Sequence, residues 1–130
     1  MSRHLFAYGT LQPGLAPTKI ARVAAKLRPV GEGFVRGVLY DLGGYPGAVA
    51  DASASGKIFG TVMELLEEEG VLERLDAYEG FDPGSPEASE YIRERRTVEL
   101  VDGGSLECWF YRYNRELRDL PRVESGEWGR

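Results

Sequence analysis

The sequence predicts an α+β fold: a small mixed or antiparallel β-barrel flanked by a few short helices. Three observations lead there. The 130 residues include 17 Gly and 7 Pro, which cut the chain into many short segments, as a mostly β fold with tight connections requires. Only two stretches carry apolar residues at helical spacing. The remaining apolar segments are short, and several end at Gly or Pro.

The elements follow in chain order. Leu5-Phe6-Ala7-Tyr8, stopped by Gly9, reads as a short buried strand. Gly9 to Gly14 is a loop. Pro17 to Lys26 spaces Ile20, Val23, Ala24 and Leu27 as a helix does, with Pro17 in the first turn. Phe34 to Leu42 is a strand in which Gly37 marks a bulge. Tyr45-Pro46-Gly47 is a turn, and Ala48 to Ala50 returns from it. Lys57 to Leu66 is a strand with apolar residues on both alternating sets, hence covered on both faces. Glu67 to Tyr78 is the second helix, weakened by Gly70 by about 1 kcal/mol and ended by Gly80. Phe81 to Glu90 is a loop. Tyr91 to Val101 and Leu106 to Tyr113 form a hairpin about Asp102-Gly103-Gly104-Ser105. The polar tail after Asn114 wraps the surface with Trp128 as an anchor. No composition shift divides the chain, so residues 1–130 read as one domain.

Composition excludes several function classes. The net charge of −5 argues against nucleic acid as a partner. One Cys and one His leave no cysteine cage for a metal, no intrachain disulfide and no His pair. Cys108 is most simply a buried strand residue. No apolar run is long enough to span a membrane, and the first residues do not resemble a signal peptide. The expectation is a cytoplasmic protein, monomer or homodimer, that uses no cofactor.

Glu79 stands in an unusual place. Projected at about 100° per residue, Leu65, Leu72 and Leu75 share an arc about 80° wide, and Glu79 falls inside it. Tyr78 and Phe81 flank it. Desolvation, the negative end of the helix and the nearby Asp76 and Asp82 all push such a carboxyl toward neutral pH. A group that must both take and give a proton needs that. The plain alternative is a solvated carboxylate at a helix end, and Glu68 projects the same way without an evident role.

Two other features have double readings. Tyr8-Gly9-Thr10-Leu11 follows a buried strand, and its Gly lets successive N–H groups turn outward as an anion nest. It reads equally as a tight turn with Tyr8 in the core. Arg93, Arg95 and Arg96 form a solvated face paired with Glu94 and Glu99, or else Arg93 or Arg95 orients an acidic substrate.

A set of ordered blocks then carries a resemblance. They are Leu5-Phe6-Ala7-Tyr8-Gly9-Thr10-Leu11, Gly37-Val38-Leu39-Tyr40-Asp41-Leu42 with Tyr45-Pro46-Gly47-Ala48, and Gly60-Thr61-Val62-Met63-Glu64-Leu65. Leu75-Asp76-Ala77-Tyr78-Glu79-Gly80-Phe81, Tyr91-Ile92-Arg93-Glu94-Arg95-Arg96-Thr97-Val98 and Ser125-Gly126-Glu127-Trp128 follow. Together they resemble the γ-glutamylcyclotransferase-like family, which includes γ-glutamylamine cyclotransferases and AIG2-like proteins. The resemblance implies a helix-flanked barrel with a cavity at one end, Glu79 as catalytic acid/base, and substrate binding by Tyr8, Gly9, Thr10 and Leu11. Tyr45, in the second block, is grouped with them. It also implies release of 5-oxoproline from a small γ-glutamyl amine or peptide, a C–N lyase or acyltransferase type of reaction with no metal. The alternative within the same fold is a non-catalytic domain that binds a small metabolite. The leaving amine is left open, and the loop Phe81 to Glu90 and the tail are where its recognition is expected.

Overall fold

The computed structural model describes residues 3–66 and 70–129. Its six strands are β1 (His4–Ala7), β2 (Leu27–Asp41), β3 (Pro46–Ala50), β4 (Lys57–Leu65), β5 (Tyr91–Leu100) and β6 (Ser105–Tyr113). The helices are α1 (Ala21–Ala24), entered by a 3-10 turn at Thr18–Ile20, and α2 (Val71–Glu79); a second 3-10 turn covers Pro86–Ala88.

Strand order is β3-β2-β4-β1-β6-β5, and β2 also pairs with β5. Five strands, β2, β4, β1, β6 and β5, thus close on themselves. Closure passes through Gly33↔Leu100 and Phe34↔Glu99. The β1–β6 pair is parallel and the others are antiparallel, so the barrel is mixed. Closure removes the exposed edges that a short open sheet would present.

β2 makes this possible. Its 15 residues would span about 50 Å if straight, so the strand must coil around the barrel. It pairs with β4 from Leu27 to Arg36 and with β3 from Gly37 to Asp41. This corrects three expectations. Leu27 belongs to β2 rather than to the first helix, and the strand begins seven residues before Phe34. The irregular register lies between Pro29 and Gly31, where Pro cannot donate to the ladder, and not at Gly37, which pairs with Ala50. The first helix is one short turn of each type, because nothing caps it: Pro17 and Ile20 offer no side-chain hydrogen bond to its free N–H groups. The bend after β2 comes at 43–45, so Pro46 and Gly47 already belong to β3.

The strands bury both faces, as the lack of clean alternation in β1 and β4 predicts. Leu5, Ala7, Met63, Tyr91 and Tyr111 meet Val23, Val71 and Leu75 in one cluster. Phe6, Tyr8, Ile58, Val62, Val98, Cys108 and Phe110 form the other. Both helices therefore pack on one face of the sheet. Phe110 is fully buried. Cys108 lies in the second cluster, where burial pushes its thiol up to about 12.

α2 differs from its expected span of Glu67 to Tyr78: residues 67–69 lie outside the described residues, and Gly70 is its left-handed N-cap, not a weak point inside it. Leu65 ends β4, and Val71 takes its place on the buried stripe beside Leu75. At the other end Gly80 is left-handed, with φ 71°. The Phe81 N–H donates to Asp76 O at 2.8 Å and the Gly80 N–H to Ala77 O at 3.3 Å, so the last carbonyls are satisfied and the helix stops at Glu79.

The tail is tied down. The Val123 N–H donates to Leu39 O and the Phe59 N–H to Gly126 O, both at 2.8 Å. Gly126 has φ 73°, and a Cβ there would meet Lys57 O at 1.9 Å. Gly126→Ala is accordingly expected to cost about 2–4 kcal/mol, from left-handed strain plus forced displacement of the tail. Urea denaturation at neutral pH measures it; a change within about 0.5 kcal/mol contradicts the docked tail.

Candidate active site

The last turn of α2 faces the loop that follows β1. Thr10 Oγ1 and Tyr78 Oη are 2.6 Å apart and hydrogen-bonded. Between them and the start of β3 opens a cavity of about 360 Å³. It is lined by Tyr8, Gly9, Thr10, Leu11, Tyr45 and Glu79, so the structure gathers all six residues singled out from the sequence into one place.

Glu79 is half-buried as a residue, and its carboxyl is the sheltered part. It accepts no hydrogen bond from any described residue, and no fully buried side-chain oxygen is left unpaired; the carboxyl opens into the cavity. Burial raises its pKa to about 8, with the negative charge of Glu90 adding to the rise. The like charge therefore comes from Glu90, not from Asp76 or Asp82 as the sequence suggested. Asp76 is held by Arg93, Nε to Oδ1 at 2.8 Å. Asp82 turns outward and accepts the Gly84 N–H.

Tyr8 is core and wall at once. Its hydroxyl donates to Tyr111 O at 2.6 Å, and burial with the nearby Glu79 charge lifts its pKa well above the usual phenol value. Tyr91 donates to Pro46 O at 2.5 Å and Tyr111 to Asp76 Oδ1 at 2.7 Å. These bonds tie the residue after β1 to β6, β5 to β3 and β6 to α2 around the cavity. Gly9 allows a close approach, since a Cβ there would meet Pro46 Cγ at 2.7 Å. Among the described residues, the N–H groups of Gly9, Thr10 and Leu11 donate to none. A loop with free donors is suited to an anion.

The arginine cluster settles as structural. Arg93 is consumed by Asp76, Arg95 pairs with Glu107 and Arg96 with Glu94. Glu94 fulfils the expected pairing and also takes Arg112. None of the three arginines lines the cavity. Lys19 and Glu90 are cavity residues that the sequence did not single out; Tyr91 and Tyr111, which the sequence left between cavity lining and core, serve as both. Lys19 sits in the 3-10 turn at Thr18–Ile20, off the apolar stripe of the expected helix, and Glu90 in an irregular segment, so no periodicity points either at the cavity. Among the described residues, no three His, Cys, Asp or Glu side chains converge as a metal site, and no helix is long and apolar enough to cross a membrane.

Fold and site together define a class: a small closed mixed barrel with a sheltered carboxyl at the end of a helix, aimed into a cavity beside the first loop. Residues 5–130 match the family described as Gamma-glutamyl cyclotransferase, AIG2-like, and the chain belongs to that family. Membership supports a cyclotransferase kind of function. Solved structures share the fold. An AIG2-like protein from Mus musculus is 23% identical with a TM-score of 0.72, over 95% of this chain and 86% of that one. YkqA from Bacillus subtilis has the same identity and TM-score over 98% of this chain, which spans only 40% of YkqA. A γ-glutamyl cyclotransferase is 14% identical with a TM-score of 0.62, over 92% of this chain and 68% of that one. At these identities the likeness concerns the fold. Comparison with curated protein sequences gives no match.

Proposed function

We propose that the protein releases 5-oxoproline from a γ-glutamyl amine or γ-glutamyl peptide. The free α-amino group of the substrate attacks its own γ-carbonyl. The new C–N bond closes a five-membered ring, the old amide C–N bond breaks, and the second product is a free amine. Glu79 takes the proton lost by the attacking nitrogen and returns one to the departing nitrogen. The unpaired N–H groups of Gly9, Thr10 and Leu11 are suited to the substrate carboxylate or the developing oxyanion. The nucleophile comes with the substrate, so the chain supplies positioning and proton transfer.

One observation carries this reading: a carboxyl raised to about 8 opens into a cavity beside a loop of free backbone donors. An unpaired, desolvated carboxyl is costly to keep and needs a use. The test is incubation with a panel of γ-glutamyl peptides and amines, with 5-oxoproline as readout. Turnover of at least one supports the reading. Binding without 5-oxoproline makes the protein a metabolite-binding member of the fold.

Gly9→Ala offers an independent check. The added methyl must displace Pro46 or the loop, which moves the donors relative to Glu79. A loss of roughly tenfold or more in kcat/KM is expected. Unchanged kinetics would remove the loop from the site.

A further inference from the structure

We propose that Glu90 sets substrate choice by receiving a positive charge on the leaving amine, so that the preferred substrates are γ-glutamyl derivatives of diamines or similarly cationic amines. The proposal rests on the cyclotransferase reading above and goes on to name the substrate class.

The position of Glu90 is fixed by backbone bonds on both sides. Its N–H donates to Gly80 O at 3.1 Å, and its carbonyl accepts the Asn114 N–H at 2.8 Å. It therefore stands against the residue that follows Glu79, at the entrance to β5, and lines the cavity. One carboxylate oxygen, Oε2, accepts the Tyr45 hydroxyl at 2.8 Å. The other, Oε1, lies by Gly80, 3.8 Å from where a Cβ would stand, and takes no donor from any described residue.

Asp76, Glu94, Glu64 and Glu107 are all paired with arginines. Glu90 has no such partner among the described residues, although Arg115 is close enough to influence Tyr45; that guanidinium donates to Ala88 O.

Among the described residues, three ionisable side chains apart from the tyrosines line the cavity: Lys19, Glu79 and Glu90. The cyclisation uses Glu79 on the reacting nitrogens. Lys19 and the free N–H groups of the first loop suit the α-carboxylate carried by every γ-glutamyl compound. Glu90 is then left over, negative and unneutralised, with the exposed ring of Tyr45 beside it. A carboxylate with one oxygen free of protein donors receives an alkylammonium by charge. It repels the carboxylate of a departing amino acid.

The test compares γ-glutamyl amides of putrescine, pentylamine and γ-aminobutyrate, which differ mainly in charge at the far end. The expected order of kcat/KM is cation over neutral over anion, with roughly tenfold at each step. Glu90→Gln is expected to bring the cation-to-neutral ratio near unity, and Glu90→Lys to invert the order. The ratio cancels any effect of either variant on Glu79 itself. A ratio that survives in both variants, or a preference for the anion in the parent protein, overturns the proposal. Should neither these three amides nor any γ-glutamyl peptide of the panel yield 5-oxoproline, the cyclotransferase reading fails separately. Calorimetric affinities of the three for the Glu79→Gln protein then decide: the same order upholds the role of Glu90, and equal affinities refute it.

Discussion

Glu79→Gln is expected to lower 5-oxoproline release by roughly a hundredfold or more while the barrel stays folded. The amide keeps the shape of the carboxyl and cannot shuttle a proton. The same substitution reads the burial of the group. In the folded protein the Glu79 carboxyl is raised from 4.5 to about 8, so the native state holds this proton more tightly than the unfolded chain does. Below the ordinary carboxylate range the group costs nothing. As pH climbs from there toward 8, ionisation is penalised in the native state alone, and the penalty is complete above about 8. Glu79→Gln removes it, so the variant is expected to match the parent near pH 4 and exceed it in stability by pH 8. Melting temperatures across that interval measure the gap; a gap that stays flat across it would mean that the carboxyl is solvated.

The rate has the same origin with the opposite sense. Only the ionised carboxyl accepts the proton, so kcat/KM is expected to rise with pH up to about 8. Tyr8, Tyr91 and Tyr111 also face this carboxyl, but burial raises each phenol above its usual value, so they remain protonated there. Lys19 and Glu90 complete the charged lining. Glu90→Gln removes the second cause of the Glu79 rise and is expected to move the limb to lower pH. A limb set by the substrate amine would not move with Glu90.

How far the sequence reaches is clear from particular residues. Glu79 was legible because its neighbours Leu75 and Leu72 lie four and seven positions back on a stripe, and that geometry survives the loss of Leu65 to β4. The strands were legible where short apolar runs met Gly or Pro. The first half of β2 was not, because Pro29, Gly31 and Gly33 read as punctuation, whereas the barrel uses them for an irregular register and a close crossing. A Cβ at Gly33 would meet Glu99 O at 2.7 Å. Partners were the least legible of all. Arg93 pairs with a helix residue seventeen positions away, and Glu90 meets Tyr45 across forty-five. Local spacing holds no record of such contacts, which exist only once the barrel has closed.

The second large effect lies at that helix contact. Arg93→Ala is expected to cost about 3 kcal/mol and to lower the melting temperature by about 10 °C. Arg93 holds Asp76 through Nε at 2.8 Å and a second guanidinium nitrogen at 3.2 Å. The side chains are 18% and 6% exposed, so the pair is desolvated. The guanidinium also lies 4.4 Å from the centre of the Trp109 ring, and truncation loses that contact too. What remains is a buried Asp76 carboxylate with only the Tyr111 hydroxyl to answer its charge. Asp76→Asn leaves no such anion and is expected to cost less. In the double variant the naked charge is gone, so its cost should fall short of the sum by about 1 kcal/mol or more; strict additivity in a double-mutant cycle would show that the pair is not coupled. Asp76 stands one turn before Glu79, so loosening this anchor also frees the end of α2. Arg93→Ala should therefore lose turnover even at temperatures where it is fully folded, whereas Arg95→Ala, at an exposed pair, should keep both activity and melting temperature.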